Sequence, residues 1–263
     1  MVQEFNVDQL RVCIYKNKYE LGKAAAKLAE KYISKAIKKR GEAVIILATG
    51  ASQFEFLDAL AEKQLDWQKV VAFHLDEYVG ISEKHPASFR RYLRERILDR
   101  VNVGNYYLIE GDKDNVEAEV RRLNQLFRNY KVDVAFTGIG ENGHLAFNEP
   151  PANFQEKCIF KAVELDEISR KQQVGEGWFN SLEGVPQSAI TMTVPAIMDS
   201  KAIICTVPDA RKAVAVKKTL TNNVSPNFPA SILRTHPEAT LFLDGESASM
   251  LSELINDSVN LRM

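Results

Sequence analysis

The chain has 263 residues, 45% of them hydrophobic and 26% charged, an ordinary globular composition within the range of one α/β domain. A formal net charge of −1 gives no electrostatic reason to expect nucleic acid or an anionic membrane as partner. No apolar run approaches a membrane span, and the amino terminus MVQEFNVDQL lacks the basic and apolar regions of a signal peptide.

Leu10 to Tyr15 reads as a strand and Tyr19 to Lys39 as a helix. The helix carries an apolar stripe that includes Leu21, Ala25, Leu28, Tyr32 and Ala36, with charges between, as suits a helix covering a sheet. AVIILATG is a buried strand that ends in the turn Thr49-Gly50-Ala51-Ser52, before the helical FEFLDALAEKQL. A strand, a turn of small residues and a helix amino terminus make a natural phosphate cradle. A plain βα connection is the common alternative, and without Gly-Lys-Ser/Thr this is no Walker-type loop.

VVAFHLDEY is the next strand, and Asp76 and Glu77 stand where an apolar strand should simply end. Singly, such acids are usually caps or solvated turns, and His74-x-Asp76 is not a convincing metal ligand set. SFRRYLRERILDR (Ser88 to Arg100) reads as a surface helix with the stripe Phe89, Tyr92, Leu93 and Ile97, rather than as a nucleic-acid patch. YYLIEG is a strand, and Val116 to Tyr130 a helix.

The stretch Val132 to Pro151, VDVAFTGIGENGHLAFNEPP, organises the chain. A short apolar strand breaks into Gly138, Gly140 and Gly143, then into His144 and Glu149. Ligands of open α/β sheets bind beyond the carboxyl ends of strands, and glycines let backbone amides approach them. Gly138-x-Gly140-x-x-Gly143 also matches a dinucleotide fingerprint, with Glu164 or Asp166 as its acid. That reading fails because Pro150 and Pro151 stop the long helix it requires.

Downstream, CIFKAVEL is strand-like, and the polar Ser169 to Glu183, with Trp178-Phe179 inside it, suits a lid or loop. SAITMTV and AIICTV are buried strands, the second leading through Asp209 to Lys212 into a helix (Ala213 to Leu220). ATLFLD is a last strand and Ser247 to Leu254 a last helix. Cys13, Cys158 and Cys205 read as buried free thiols of a reducing, cytoplasmic compartment. The alternation predicts a single α/β domain over 1–263, three-layered (αβα), with a mainly parallel, Rossmann-like central sheet.

GIGENGHLAFNEP resembles the signature of the glucosamine-6-phosphate deaminase (isomerase) family. FHLDEYVGISEKHPASFRRYL resembles its D-E-Y-V-G segment, LATGAS its phosphate loop, and ARKAVAV the segment that supplies a phosphate-binding lysine. The resemblance implies conversion of an amino sugar 6-phosphate to a ketose 6-phosphate with release of ammonia. It involves no metal or organic cofactor, and a small sugar phosphate as the partner. A homo-oligomer is left open.

The residues suit that chemistry. Ring opening needs a proton relay, which a histidine can serve at neutral pH, so His144 is the candidate, with Glu149 to orient or recharge it. Isomerisation moves a proton from C2 to C1, and Asp76 is the candidate base. Lys212 and the turn Thr49, Gly50, Ala51 and Ser52 are placed to hold the phosphate, with Glu77 and Gly140 also counted among the substrate-binding residues. A lysine at a helix start opposes the helix dipole, which favours a ligand role over a solvated one.

Three departures stand out. Many members carry Asp before the Gly-His pair where this chain has Asn142, so Glu149 is expected to be the charge partner of His144. QQVGEGWF shows no counterpart of a second phosphate-contacting arginine, leaving glucosamine and galactosamine 6-phosphates both open. PANFQEKCIF replaces the Ser- and Arg-rich segment of allosteric members, so activation by an N-acetylated sugar phosphate is not expected. A 6-phosphogluconolactonase and a non-catalytic sugar-phosphate-binding regulator are the alternatives.

Overall fold

Ala43–Leu47 (β3) is buried at all five positions, so it must be covered on both faces. In the computed structural model, which describes residues 2–254, its alternate residues feed two separate cores. Ala43, Ile45 and Leu47 pack with Leu21, Ala25, Ala29 and Ile33 of α1 (Lys18–Arg40) and with Phe56, Leu57 and Leu60 of α2 (Phe54–Ala61). Val44 and Ile46 face the opposite side, with Leu123 and Phe127 of α5 (Val116–Phe127) and Val216 and Leu220 of α8 (Ala213–Thr221). The result is the expected helix, sheet, helix sandwich.

Around β3 the main sheet is built from β1 (Gln3–Val7), β2 (Leu10–Ile14), β4 (Val70–His74), β6 (Asn105–Tyr107), β7 (Val134–Thr137), β10 (Ile203–Val207) and β11 (Ala239–Leu243). Their order is β1-β2-β11-β10-β7-β3-β4-β6. Every neighbouring pair is parallel except the edge hairpin β1–β2. That hairpin adds a strand which the polar QEFNV did not suggest.

The larger difference lies outside the main sheet. β5 (Asp76–Tyr78), β9 (Ser188–Met192) and β8 (Phe160–Glu164) form a separate antiparallel sheet in the order β5-β9-β8. The single strand read over VVAFHLDEY therefore breaks at Leu75, and its two halves serve different sheets. β8 alternates buried and accessible residues, as suits an antiparallel strand with one covered face. The remaining helices are α3 (Phe89–Leu93), which runs through a π turn into α4 (Asp99–Val101), then α6 (Glu167–Gly175) and α7 (Val194–Met198). The final helix expected from Ser247 is instead a run of turns to Met250, helical only at 252–254; the rest of the chain end lies outside the described residues. Cys13 and Cys205 are buried, whereas Cys158, just ahead of β8, is half-exposed; none is in a disulfide. Among the described residues no helix is long and apolar enough to cross a membrane.

The amino ends of the strands are tied by one acid. Asp133, just before β7, is buried and accepts from Arg40 at the end of α1, from Lys201 Nζ (2.8 Å) and from the Val44 amide (2.9 Å). Burial pushes its pKa up, but these donors outweigh burial and hold it below the ordinary carboxylate range. Asp133→Ala leaves a buried amide without its acceptor, so the denaturant midpoint should fall by the equivalent of about 1–3 kcal/mol. A midpoint matching wild type would show that solvent replaces these bonds without loss.

Candidate active site

β3 leads through α2 to β4 on one side, while β7 lies on its other side, next to β10. Such a reversal opens a crevice at the carboxyl ends of the strands. Here it is a cleft, partly open to solvent, in which side chains from several strand ends converge. Thr49, Gly50, Ala51 and Ser52 line it from the end of β3, Asp76 from beyond β4, Gly138, Gly140 and His144 from beyond β7, and Lys212 from beyond β10. Gln172, Gln173 and Glu176 close it from α6 and its carboxyl end. No helix follows Gly143, which removes the dinucleotide reading; the next element is β8.

Each group is placed by local structure. Gly50 has φ +94°, which L side chains rarely adopt, and it turns the chain into a short 3₁₀ turn over Ala51–Gln53 with no side chain capping it. The leading amides of such a turn have no acceptor within it, which suits an anion. Lys212 is buried, at the end of a tight turn in which Asp209 has φ 87° and donates its amide to Asp244. Burial lowers the Lys212 pKa below the ordinary lysine value, against the opposing pull of Glu176.

Asp76 is 6% exposed, and among the described residues no donor is hydrogen-bonded to its carboxylate. Burial first, and the neighbouring Glu77 second, push its pKa up to about 8. His74, two residues earlier, is no ligand candidate: its Nε2 accepts the Ile109 amide (2.8 Å), and burial pushes its pKa down to about 3. It joins β4 to the segment after β6.

Three of the site residues read from sequence do other work. Successive strand residues point to opposite faces, so with Asp76 on the cavity Glu77 faces away. Glu77 is fully buried and accepts the amides of Tyr78, Phe89 and Arg90 and the hydroxyl of Ser88, anchoring the start of α3. Gly140 lines the cavity, but its amide already donates to the His144 carbonyl (3.0 Å). What the glycine supplies is room, since a Cβ there would lie 2.3 Å from His144 Nε2. Asn142 does not touch the imidazole. Its Oδ1 accepts the backbone N–H of His144 (3.1 Å), while its Nδ2 donates to Glu149 (2.8 Å) and Asp166 (3.3 Å).

The ring of His144 finds its partners elsewhere. Nδ1 is 2.9 Å from Ser169 Oγ and 3.5 Å from Glu149 Oε2. Burial works to raise the Glu149 pKa; His144, Ser169 and Asn142 overcome it and hold the carboxyl well below its ordinary range. Ser169 is fully buried and belongs to α6, whose amino end Asp166 caps by accepting the Ser169 amide (2.6 Å). The segment read as a lid thus supplies a helical face of Ser169, Gln172, Gln173 and Glu176, spaced i, i+3, i+4, i+7. That polar periodicity was the available signal.

A sequence profile described as glucosamine-6-phosphate isomerases/6-phosphogluconolactonase matches residues 16–242. The chain belongs to this family. Glucosamine-6-phosphate deaminases of Streptococcus pneumoniae, from strains Hungary19A-6 and 70585 among others, are 34% identical over 244 residues, covering 93% of this chain and 100% of theirs. A solved monomeric glucosamine-6-phosphate deaminase superimposes with a TM-score of 0.84 at 33% identity, over 91% of this chain and 99% of that one. The 6-phosphogluconolactonase of Trypanosoma brucei, at 16% identity and a TM-score of 0.75 over 95% and 100% of the two chains, shares the fold.

Two expectations follow from this geometry. Asn142→Asp would set a third carboxylate against Glu149 and Asp166 and remove both N–H donors. Stability at pH 7 should fall by about 1.5–3 kcal/mol, the size of a hydrogen bond to a charged group. Denaturant titration at pH 7 checks this, and an unchanged midpoint would show that Asn142 does not separate these acids. The second concerns Asp76. Its folded pKa lies above its unfolded one, so between about pH 4 and 8 the folded state holds a proton that the unfolded state has released. Stability is therefore lost as pH rises through that window, and Asp76→Asn removes the loss. The mutant should melt above wild type at pH 8 and level with it near pH 4, as differential scanning calorimetry would show.

Proposed function

We propose that the chain is an amino sugar 6-phosphate deaminase, converting glucosamine or galactosamine 6-phosphate to the ketose 6-phosphate and ammonia. The observation that carries this reading is the union, in one cavity, of an undonated buried carboxylate, a histidine backed by an acid, and an anion cradle with a buried lysine. Membership of a family whose similar relatives are named as deaminases supports it.

In this mechanism Lys212 and the Thr49–Ser52 turn hold the phosphate by charge and backbone amides. His144 passes a proton from the anomeric hydroxyl to the ring oxygen, which breaks the C1–O5 bond and opens the sugar. Ser169 and Glu149 hold the ring on its Nδ1 side, leaving Nε2 for the substrate. Asp76 removes the C2 proton and returns it to C1, while O1 gains a proton and the nitrogen gives one up, so the C1 aldehyde becomes an alcohol and the amine at C2 an imine. Water adds to that imine and ammonia leaves, so the ketone forms at C2. A carboxyl pKa raised toward neutrality suits a group that must both take a proton and give it back. No metal or organic cofactor enters these steps.

The same reading makes the partner a small molecule rather than nucleic acid, in keeping with the net charge of −1, and treats the chain as one domain. The free thiols support a cytoplasmic location.

The deciding experiment measures ammonia release from both amino sugar 6-phosphates, with hydrolysis of 6-phosphogluconolactone alongside. Release from at least one sugar, cut roughly 10²–10⁴-fold by Asp76→Asn, is the expected result. Lactone hydrolysis without ammonia release would overturn the reading. Lys212→Ala should raise KM for the 6-phosphate by about 10–100-fold, the equivalent of one charge-assisted bond, with a smaller effect on kcat. An unchanged KM would remove Lys212 from phosphate binding.

A further inference from the structure

The anion cradle already faces an anion. Glu176, the residue that ends α6, points a carboxylate with a side-chain exposure of 6% into the cavity. Its Oε1 lies 3.7 Å from Lys212 Nζ. Its Oε2 lies over the phosphate turn, 3.9 Å from where a Cβ on Gly50 would sit. The placement is built rather than incidental. Gln172 Nε2 donates to Oε1 (2.8 Å) and Trp178 Nε1 donates to Oε2 (3.2 Å), so residues on both sides of Glu176 fix the carboxylate. The Trp178 indole is itself wedged against Phe54 and Tyr92, and the Tyr92 hydroxyl donates to the Gly50 carbonyl (3.0 Å). Cradle and carboxylate are therefore parts of one packed unit.

A phosphate bound to Lys212 and the Gly50–Ser52 amides would share that lysine with Glu176. Two anions within contact of one buried cation repel each other, and like-charge juxtaposition in a desolvated site is costly. We propose that Glu176 is a specificity-determining residue, an internal competitor that holds the Lys212 ammonium and must be displaced by any incoming phosphate. This rests on the reading that Lys212 takes the 6-phosphate. It has a direct consequence for selection. A bare phosphate offers the cradle alone and meets the full opposition of Glu176. A sugar phosphate adds contacts along the cavity toward Asp76 and His144, and these offset the displacement. Glu176 thus guards the site against inorganic phosphate, at the cost of a weaker hold on every phosphorylated ligand.

The test uses inorganic phosphate as the probe, titrated by calorimetry into wild type, Glu176→Gln, Lys212→Met and the double mutant. Glutamine keeps the shape of Glu176 and an oxygen for one of the two N–H donors, and removes the charge together with the second acceptor. Glu176→Gln should tighten phosphate binding by about tenfold or more, and the gain should vanish when Lys212 is also replaced. Phosphate binding that depends on Lys212 but is unchanged or weakened by Glu176→Gln in a normally melting protein overturns the inference alone. Phosphate binding by wild type or Glu176→Gln that survives loss of Lys212 overturns the assignment of Lys212 as well. Absence of ammonia release from wild type, with the tightening intact, overturns the deaminase reading and leaves Glu176 as the competitor for another phosphorylated substrate.

Discussion

Carboxylates crowd the carboxyl edge of this sheet, and the site depends on how a limited set of N–H and O–H donors is shared among them. Glu77 takes three amides and a hydroxyl, Glu149 leans on Asn142 and the His144–Ser169 pair, Asp166 takes the first turn of α6, and Glu176 has Gln172 and Trp178. Among the described residues Asp76 is left without a donor. Glu77 and Asp76 are adjacent and both buried, so burial alone does not tell them apart. Donor allocation does: burial raises both pKa values, but hydrogen bonds pin Glu77 as scaffold, while Asp76 keeps its carboxyl oxygens free for proton exchange.

Much of the frame was legible in the sequence for a simple reason. Strands of a parallel sheet are buried on both faces, so AVIIL, IICTV and ATLFL announce themselves as continuous apolar runs, and the helices between them carry their own period. The small antiparallel sheet was not legible, because VVAFHLDEY gives no sign that the chain changes sheets at Leu75. The hairpin strand QEFNV is polar and lies at an edge, where patterning is weak. In the site, the residues lining the cavity could be placed at strand ends by motif. Direction could not. Glu77 beside Asp76, and Asn142 beside His144, differ from their neighbours only in which way they point, and that is set by strand pleat and loop closure. Ser169 and Glu176 were hidden for another reason: their stretch is rich in polar residues and glycine, which reads as loop until the i, i+3, i+4, i+7 spacing is considered.

Family membership and chemistry are separate matters here. The lactonase fold overlays this chain at 16% identity, so the sandwich is shared property and does not decide which bond is broken. What bears on reaction class is local. Lactone hydrolysis moves no proton from C2, so it gives no reason to keep a buried acid without donors at Asp76.

The division into two sheets gives the cavity two owners. The phosphate turn and Lys212 are rooted in β3 and β10 of the main sheet. Asp76 begins β5, and the strand β8 leads straight into α6 with Ser169 and Glu176, so all three hang from the smaller sheet. A substrate held at Lys212 while it reacts at Asp76 would therefore be gripped like work in a pair of callipers, with one jaw on each sheet. The jaws are cross-tied at Leu75, whose amide donates to Leu47 of the main sheet and whose carbonyl accepts the Met192 amide of the small one. The length of the ligand that can react is then a property of how two sheets are joined, and insertions or core changes at that joint would retune it without touching a residue that meets the sugar.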